Sequence, residues 1–375
     1  MISPELATAA ANSSYVFVDP SEQYDMYPRF TDMMAKWGYD WEAIRVTTDD
    51  DYILSTFHIL GKTGEARPTT SEGSVLIQHG DFEDGTSMMS EFVGEPFHLL
   101  LVDAGYDVWI GNNRGTMYSW DHVSLDSATD PEYWDWSWAQ MGLYDDTANI
   151  TSIREIAGVP KMFYIGYSQG TMQMHYGLVH LEDTFHVNNL YRVVSLAPCF
   201  VPHVPNWTHD FANRTIMQFQ ANGIYSINGP NWDIELERIC TNFPGIFCTY
   251  YTNNTGSQGQ SVTSEQHWVM DGLTDRFQEF ADEWLEGVEE TALVDVSLID
   301  KVPMSFFTAT RDQTCPHRIA GKYIPQVQSE TVQIDVEGEN HQYFHTRANS
   351  DWFMENLIAQ LQIPDSETKV EPVTI

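Results

Sequence analysis

One five-residue segment, Gly166-Tyr167-Ser168-Gln169-Gly170, joins two runs of opposite character. The apolar Met162-Phe163-Tyr164-Ile165 before it reads as a buried strand, and Thr171 to His180 after it reads as a helix. A strand that becomes a helix over so few residues needs a tight, strained turn, and glycines on both sides let the chain pass close to itself. Ser168 stands at the crest of that turn. The helix N-terminus behind it favours negative charge, which is what a serine nucleophile needs as it attacks.

The rest of the chain repeats the strand-then-helix rhythm. Apolar runs at Val75–Gln78, Tyr106–Ile110, Met162–Ile165, Leu190–Leu196, Pro303–Ala309 and Thr331–Val336 read as buried parallel strands. Helical stretches are expected at Phe30–Trp37, Pro96–Ala104, Tyr144–Ala157, Gly170–His180, Arg318–Ile324 and Ser350–Leu361. Ile44–Thr47 and Tyr52–Ile59 alternate in period two around an acidic turn and read as a hairpin. The fold class is therefore α/β, a mostly parallel central sheet with helices on both faces. Residues 200–296 break the rhythm: they are rich in Asn, Trp, Tyr, Gly and Ser and hold amphipathic pieces such as Leu273–Glu286. They read as a cap inserted over the C-terminal edge of the sheet, where open α/β sheets bind ligands. The expected division is a first core part at residues 1–199, with a surface arm at 1–27 that is polar at its start, the cap at 200–296, and a second core part at 297–375.

A length of 375 residues, 42% of them hydrophobic, is ample for this arrangement. No apolar run reaches the eighteen residues of a membrane span. Met1 to Tyr15 lacks the basic and apolar regions of a signal peptide, so the expectation is a processed chain or one that never entered a secretory route. The net charge of −36 would repel nucleic acid and anionic membranes, and suits a neutral substrate. The four cysteines, Cys199, Cys240, Cys248 and Cys315, have no zinc-like spacing, and Cys240 and Cys248 are near enough to close a short disulfide loop. Asn-x-Ser/Thr sequons fall at Asn12, Asn149, Asn206, Asn213 and Asn253. With the cysteine pair they point to an oxidising secretory or lysosomal lumen.

A serine hydroxyl needs a base, and the base needs an acid to orient it. In the α/β-hydrolase fold these follow the nucleophile in the order acid, then histidine. The strand-like Phe306 to Ala309 leads to a loop aspartate, Asp312, and Val336 leads through a turn to His341. These are the candidate acid and base. His345 is a rival base, His317 follows the acid too closely, and Asp335 falls within a strand. The oxyanion formed by attack needs two backbone N–H donors. Gln169 supplies one, and Asp81, in the loop after Ile77-Gln78-His79-Gly80, the other. Met172 and Met174, like Trp134, Trp136 and Trp138, read as packing residues.

The chain resembles the acid lipase family, the relatives of gastric and lysosomal acid lipase. The resemblance is carried by Gly38-Tyr39 with Val46-Thr47-Thr48-Asp49, Leu76 to Gly80, Gly105-Tyr106-Asp107-Val108-Trp109-Ile110-Gly111-Asn112-Asn113-Arg114-Gly115, Tyr133 to Trp138, the Ser168 turn, and Asn340-His341. It implies an α/β-hydrolase core with a helical cap carrying a movable lid, hydrolysis of acylglycerols or sterol esters, often at acidic pH, and a cap disulfide matching Cys240–Cys248. The chain departs from the family at Asp81, where an apolar residue is usual, at Tyr167 for His, at Tyr343 for Asp, and in Gln313-Thr314-Cys315-Pro316.

The expected chemistry is ester hydrolysis by Ser168, His341 and Asp312 through an acyl-enzyme, with no metal and no organic cofactor. Expected partners are a lipid or small ester and transient contact of the cap with a lipid interface. A carboxylesterase on small soluble esters, and a non-catalytic lipid-binding or structural member of an assembly, are the alternatives.

Overall fold

A computed structural model of the chain describes residues 14–66, 71–90, 92–203, 216–245, 248, 249, 252, 259–280 and 291–364. Within them the strands are β1 (Tyr15–Phe17), β2 (Tyr39–Thr47), β3 (Tyr52–Lys62), β4 (Ser74–Gln78), β5 (Asp107–Ile110), β6 (Asp121–His122), β7 (Met162–Tyr167), β8 (Leu190–Leu196), β9 (Ser226–Ile227), β10 (Gln260–Ser261), β11 (Met304–Ala309) and β12 (Thr331–Val336). All but β9 and β10 form one sheet in the order β1-β2-β3-β5-β4-β7-β8-β11-β12, with β6 beside β3. From β5 to β12 every pairing is parallel, and β1, β2 and β3 add an antiparallel edge.

The apolar runs fill both faces of this sheet because side chains alternate along a strand. Leu76, Tyr164, Val193 and Phe306 point into one core, shared with Ile150 and Ile153 of the helix Asp146–Ala157 and with Met172 and Met174 of the helix Gln169–Leu181. Their neighbours Ile77, Ile165, Val194 and Phe307 point into the other. There they meet Phe30 and Met34 of Pro28–Trp37, Phe97 and Leu101 of Phe97–Asp103, and Phe353 and Leu357 of Asp351–Gln360. Trp134, Trp136 and Trp138 are buried in the first core, in a 3₁₀ turn and the loop and helix start that follow it.

Three sequence expectations change. The surface arm gains an element: Tyr15–Phe17 pairs with Arg45 and its neighbours as an edge strand. Leu273–Glu286 does not form one amphipathic piece over its described part: the helix Val262–Thr274 stops where Asp275 turns left-handed, and Gln278 then bridges to Leu293. Asn149 is no glycan site, because its side chain lies in the core and accepts a hydrogen bond from the Thr56 hydroxyl at 2.5 Å. The sequons at Asn12, Asn206, Asn213 and Asn253 lie outside the described residues.

Between Val201 and Val296 the described chain forms a two-stranded β9–β10 pair, the helices Trp232–Asn242 and Val262–Thr274, and a small core of Phe219, Ile224, Ile227, Ile239 and Val262. A disulfide joins Cys240 to Cys248.

A buried ion cluster clamps the loop after β5. Arg114 gives its Nε to Asp145 at 2.8 Å and both terminal nitrogens to Asp50 at 2.7 and 2.8 Å, while its guanidinium lies 3.9 Å above the Tyr52 ring. A lysine has one charged nitrogen and no planar fork, so it leaves part of this cluster unpaired out of water. Arg114→Lys is expected to lose about 3–5 kcal/mol of unfolding free energy. Urea unfolding checks this, and a loss below about 1 kcal/mol, the worth of an exposed pair, would mean the cluster is not a clamp.

Candidate functional site

The turn after β7 brings Ser168 to the N-cap of the helix Gln169–Leu181 with φ 52° and ψ −116°, a conformation that costs a non-glycine residue energy. Its surroundings hold it there. The Ser168 N–H donates to the Leu196 carbonyl at 3.0 Å, and its own carbonyl accepts from the Thr171 N–H and hydroxyl at 2.9 and 2.7 Å. The flanking glycines are required by space. A Cβ on Gly166 would lie 2.5 Å from the Gly170 carbonyl oxygen, and one on Gly170 would lie 2.7 Å from that of Gln78.

The structure brings the three candidate side chains into one line. His341 Nε2 is 2.9 Å from Ser168 Oγ, and His341 Nδ1 is 2.7 Å from Asp312 Oδ2. The other Asp312 oxygen accepts the N–H groups of Thr314 and Cys315, each at 2.8 Å. With the carboxylate fixed from behind, the imidazole keeps its proton on Nδ1 and turns the lone pair of Nε2 towards Ser168. All three side chains are nearly out of solvent. Tyr167, one of the departures, donates its hydroxyl to the His341 carbonyl at 3.2 Å and so supports the base.

The rivals sit elsewhere. His345 Nε2 lies 3.3 Å from Glu83, and His317 Nε2 lies 3.3 Å from Asp335, which also accepts the Thr308 hydroxyl at the far strand. Tyr343, the other departure near the base, packs in the second core and reaches Ser350 with its hydroxyl.

The loop after β4 carries Asp81 and is tied down on several sides. Asn113 donates its N–H to His79 Nε2 at 3.1 Å, so the His79 proton sits on Nδ1 and is given to the Gly80 carbonyl at 2.8 Å. Burial keeps that imidazole neutral to lower pH than usual. Glu83 accepts the Gly80 N–H at 3.1 Å. The Asp81 carboxyl accepts the Phe82 N–H at 3.0 Å and the side-chain amide of Gln260 from β10. Phe82 takes a left-handed φ of 53°. Gln169, the second expected donor, has its side chain held by the inserted stretch: its Oε1 accepts from Trp268 Nε1 at 2.7 Å and from Gln260 Nε2 at 3.1 Å. Gln260 and Trp268 carry no signal in the sequence, because only the fold brings them to the serine turn.

A second missed feature is the disulfide between Cys199, just past β8, and Cys315, in the loop of Asp312. An even cysteine count with one local pair left these two over, and that was the available signal. Among the described residues the acidic group Glu182, Asp183 and Asp300 has ligand-like spacing. It lies away from the triad and is already satisfied. Glu182 accepts three backbone N–H groups from Asp300 to Val302, and Lys301 Nζ lies 2.6 Å from both aspartates. No helix of the described residues is long and apolar enough to cross a membrane.

Comparison with known proteins gives the class first. A strained serine turn after a central parallel strand, with acid and histidine following from later strands, defines an α/β-hydrolase, and residues 30–91 match the family model for the partial alpha/beta-hydrolase lipase region. The fold is also that of the alpha/beta hydrolase GrgF from Penicillium sp. sh18, at a TM-score of 0.53 and 10% identity over 86% of this chain and 98% of that one. Within the superfamily the chain is similar to several lipases. It is 38% identical to Lipase member K of Mus musculus over 38% of this chain and 35% of the relative. It is 27% identical to gastric triacylglycerol lipase of Bos taurus over 66% of this chain and 68% of the relative. The alignments span about half or less of the length of the curated relatives it matches first.

The Cys199–Cys315 bridge closes a loop with a sequence separation of 116 and anchors the turn that presents Asp312. Replacing both cysteines by serine is expected to lower stability by about 4 kcal/mol, from the chain entropy restored to the unfolded state. Thermal melting of the double variant, with the Cys240–Cys248 pair left intact, measures it; an unchanged melting temperature would contradict it.

Proposed function

We propose that the chain is a serine hydrolase that cleaves carboxylic esters of lipids through an acyl-enzyme. The observation that carries this reading is the hydrogen-bonded line from Asp312 through His341 to Ser168, at 2.7 and 2.9 Å. In it His341 Nε2 takes the Ser168 proton as Oγ attacks the ester carbonyl carbon. Asp312 keeps the other imidazole proton on Nδ1 and stabilises the imidazolium that forms. The N–H groups of Gln169 and Asp81 receive the oxyanion, with the N-terminus of the helix Gln169–Leu181 behind them. The tetrahedral intermediate collapses, and His341 returns the proton to the departing alcohol. Water, deprotonated in turn by His341, attacks the acyl-serine and frees the acid. None of these steps calls on a metal or an organic cofactor.

Similarity to gastric triacylglycerol lipase of Bos taurus favours lipid esters over other acyl compounds. Residues 200–296 serve as a cap between the core parts 1–199 and 297–375, and contact lipid as the substrate enters. The grip of Gln260 and Trp268 on Gln169 supports that role. The two disulfides favour a secreted or lysosomal setting.

Ser168→Ala is expected to abolish labelling by a fluorophosphonate and to lower ester hydrolysis by roughly a thousandfold or more. Labelling that persists in this variant would sink the assignment of Ser168. The same preparation, given long-chain emulsified esters and short dissolved ones, separates a lipase from a carboxylesterase. Absence of labelling in the parent chain would leave a lipid-binding member of the fold.

A further inference from the structure

The loop Gln313-Thr314-Cys315-Pro316 is one of the places where the chain departs from the lipases it resembles, and the Cys199–Cys315 bridge lands in it. Both half-cystines are buried, and the backbone N–H of one reaches the acid while that of the other reaches the serine turn. On the acid side the Cys315 N–H donates to Asp312 Oδ1 at 2.8 Å, and Asp312 Oδ2 faces His341 at 2.7 Å. On the nucleophile side the Cys199 N–H donates to the Thr171 hydroxyl at 2.8 Å, and that hydroxyl donates to the Ser168 carbonyl at 2.7 Å. Thr171 is out of solvent, so its one hydroxyl is spent on these two bonds. The topology explains the arrangement. β8 lies between β7, which carries the nucleophile, and β11, which carries the acid, and Cys199 just past β8 reaches to both sides. Two backbone bonds run alongside: the Leu196 carbonyl of β8 accepts the Ser168 N–H at 3.0 Å, and the Thr314 carbonyl accepts the His203 N–H at 2.8 Å.

We propose that Thr171, Cys199 and Cys315 are positioning residues of the triad, acting as one tether that holds the serine turn and the acid at a fixed separation across the imidazole; this deepens the hydrolase reading of Ser168 and rests on it. The bonds close a ring. It runs from the Ser168 carbonyl through Thr171 to Cys199, across the two sulfurs to Cys315 and Asp312, and back through His341 to Ser168 Oγ. His341 spans the last side of that ring with two hydrogen bonds, of 2.7 and 2.9 Å. Proton transfer from Ser168 needs both: Nε2 within reach of the hydroxyl, and Nδ1 held so that the tautomer is right. A shift of the acid loop against the serine turn lengthens at least one of them, and a misplaced base costs rate without costing binding. The sheet fixes where β7, β8 and β11 end, but Asp312 stands in a loop beyond its strand, and the tether carries the fixed spacing out to it. Valine has the branched shape of threonine without the hydroxyl. Thr171→Val therefore cuts the tether at its hydrogen bonds and leaves the disulfide, while Cys199→Ser with Cys315→Ser cuts it at the sulfurs and leaves Thr171.

The test uses the full chain and a short soluble ester, with kcat counted per site that labels with a fluorophosphonate, so that unfolded molecules do not enter the rate. Thr171→Val is expected to lower kcat about tenfold with KM within about twofold of the parent, and Thr171→Ser, which restores the hydroxyl, to recover most of the loss. The double cysteine variant is expected to lose a similar factor in kcat, again with KM little changed. A tether cut once is already cut, so joining Thr171→Val to the cysteine variant should cost about tenfold in all, where independent effects would cost roughly a hundredfold. A kcat within about twofold of the parent in Thr171→Val, no recovery in Thr171→Ser, or losses that multiply in the combined variant would overturn the tether. Melting curves identify a variant that has failed to fold. If the cysteine variant does so, the two Thr171 variants decide; if Thr171→Val does so, the kcat and KM of the cysteine variant decide. A parent that neither hydrolyses esters nor labels at Ser168 overturns the hydrolase reading and the tether with it, whereas an active parent whose variants keep its kcat overturns the tether alone.

Discussion

The contact on which the rest of the molecule depends is the crossing of the Ser168 turn over the end of β4. Gly170 lies so close to the Gln78 and His79 carbonyls that a single methyl group would meet them at 2.7 and 2.8 Å. This closeness lets the backbone around Ser168 adopt its left-handed φ, because the neighbouring strand leaves the turn nowhere else to go. It also brings the loop of Asp81 against the serine: a Cβ on Gly80 would lie 3.1 Å from that of Ser168. The strain at Ser168 is offset by two tightly packed cores, one on each face of the sheet.

Beneath that crossing runs a polar layer that the cores enclose. Asn113 exchanges hydrogen bonds with Gln173 in the helix after Ser168, and Gln173 reaches Asp146 at 2.9 Å. Tyr164 of β7 donates to the Gly170 carbonyl at 2.8 Å and also lies against Asp146. Burial holds the Asp146 carboxyl well above the usual carboxylate range. A buried network of this kind is useful only when every partner is supplied, and then it fixes one arrangement of the loops it joins. Here it joins the β5 loop to the serine helix, while the same Asn113 fixes the tautomer of His79 beside Asp81.

The core strands were legible because a strand covered on both faces is apolar at nearly every position, and β4, β7 and β11 are buried throughout. Ser168 and Asp312 could be read because each follows such a strand, and His341 because it follows β12, a half-exposed edge strand; order along the chain is enough to propose them. What could not be read depends on contacts distant in sequence. Tyr15–Phe17 is a strand only because Arg45 and its neighbours present an open edge. Cys199 and Cys315 look like isolated residues until β8 and β11 lie side by side. Asn149 fits a sequon by its neighbours, yet its helix turns it towards Thr56. Gln260 and Trp268 fall in the stretch with the weakest periodicity, and they gain meaning only from what they touch.

Those contacts bear on how access and chemistry are joined. The side chain of Gln169, an expected oxyanion donor, is gripped by Trp268 and Gln260, and Gln260 grips Asp81 as well. Both expected donors are therefore braced by one short segment, Gln260 to Trp268, outside the parallel sheet. A movement of that segment large enough to uncover Ser168 would also release both donors, so an uncovered site with the segment displaced has a serine, a base and an acid but a loosened hole. The acid side of the triad is spared this movement, because the Asp312 loop is tied by Cys315 to Cys199 at the end of β8 and by two N–H groups to its own carboxylate. The candidate site thus has one half fixed by covalent and backbone ties, and another half held by side chains of the inserted stretch.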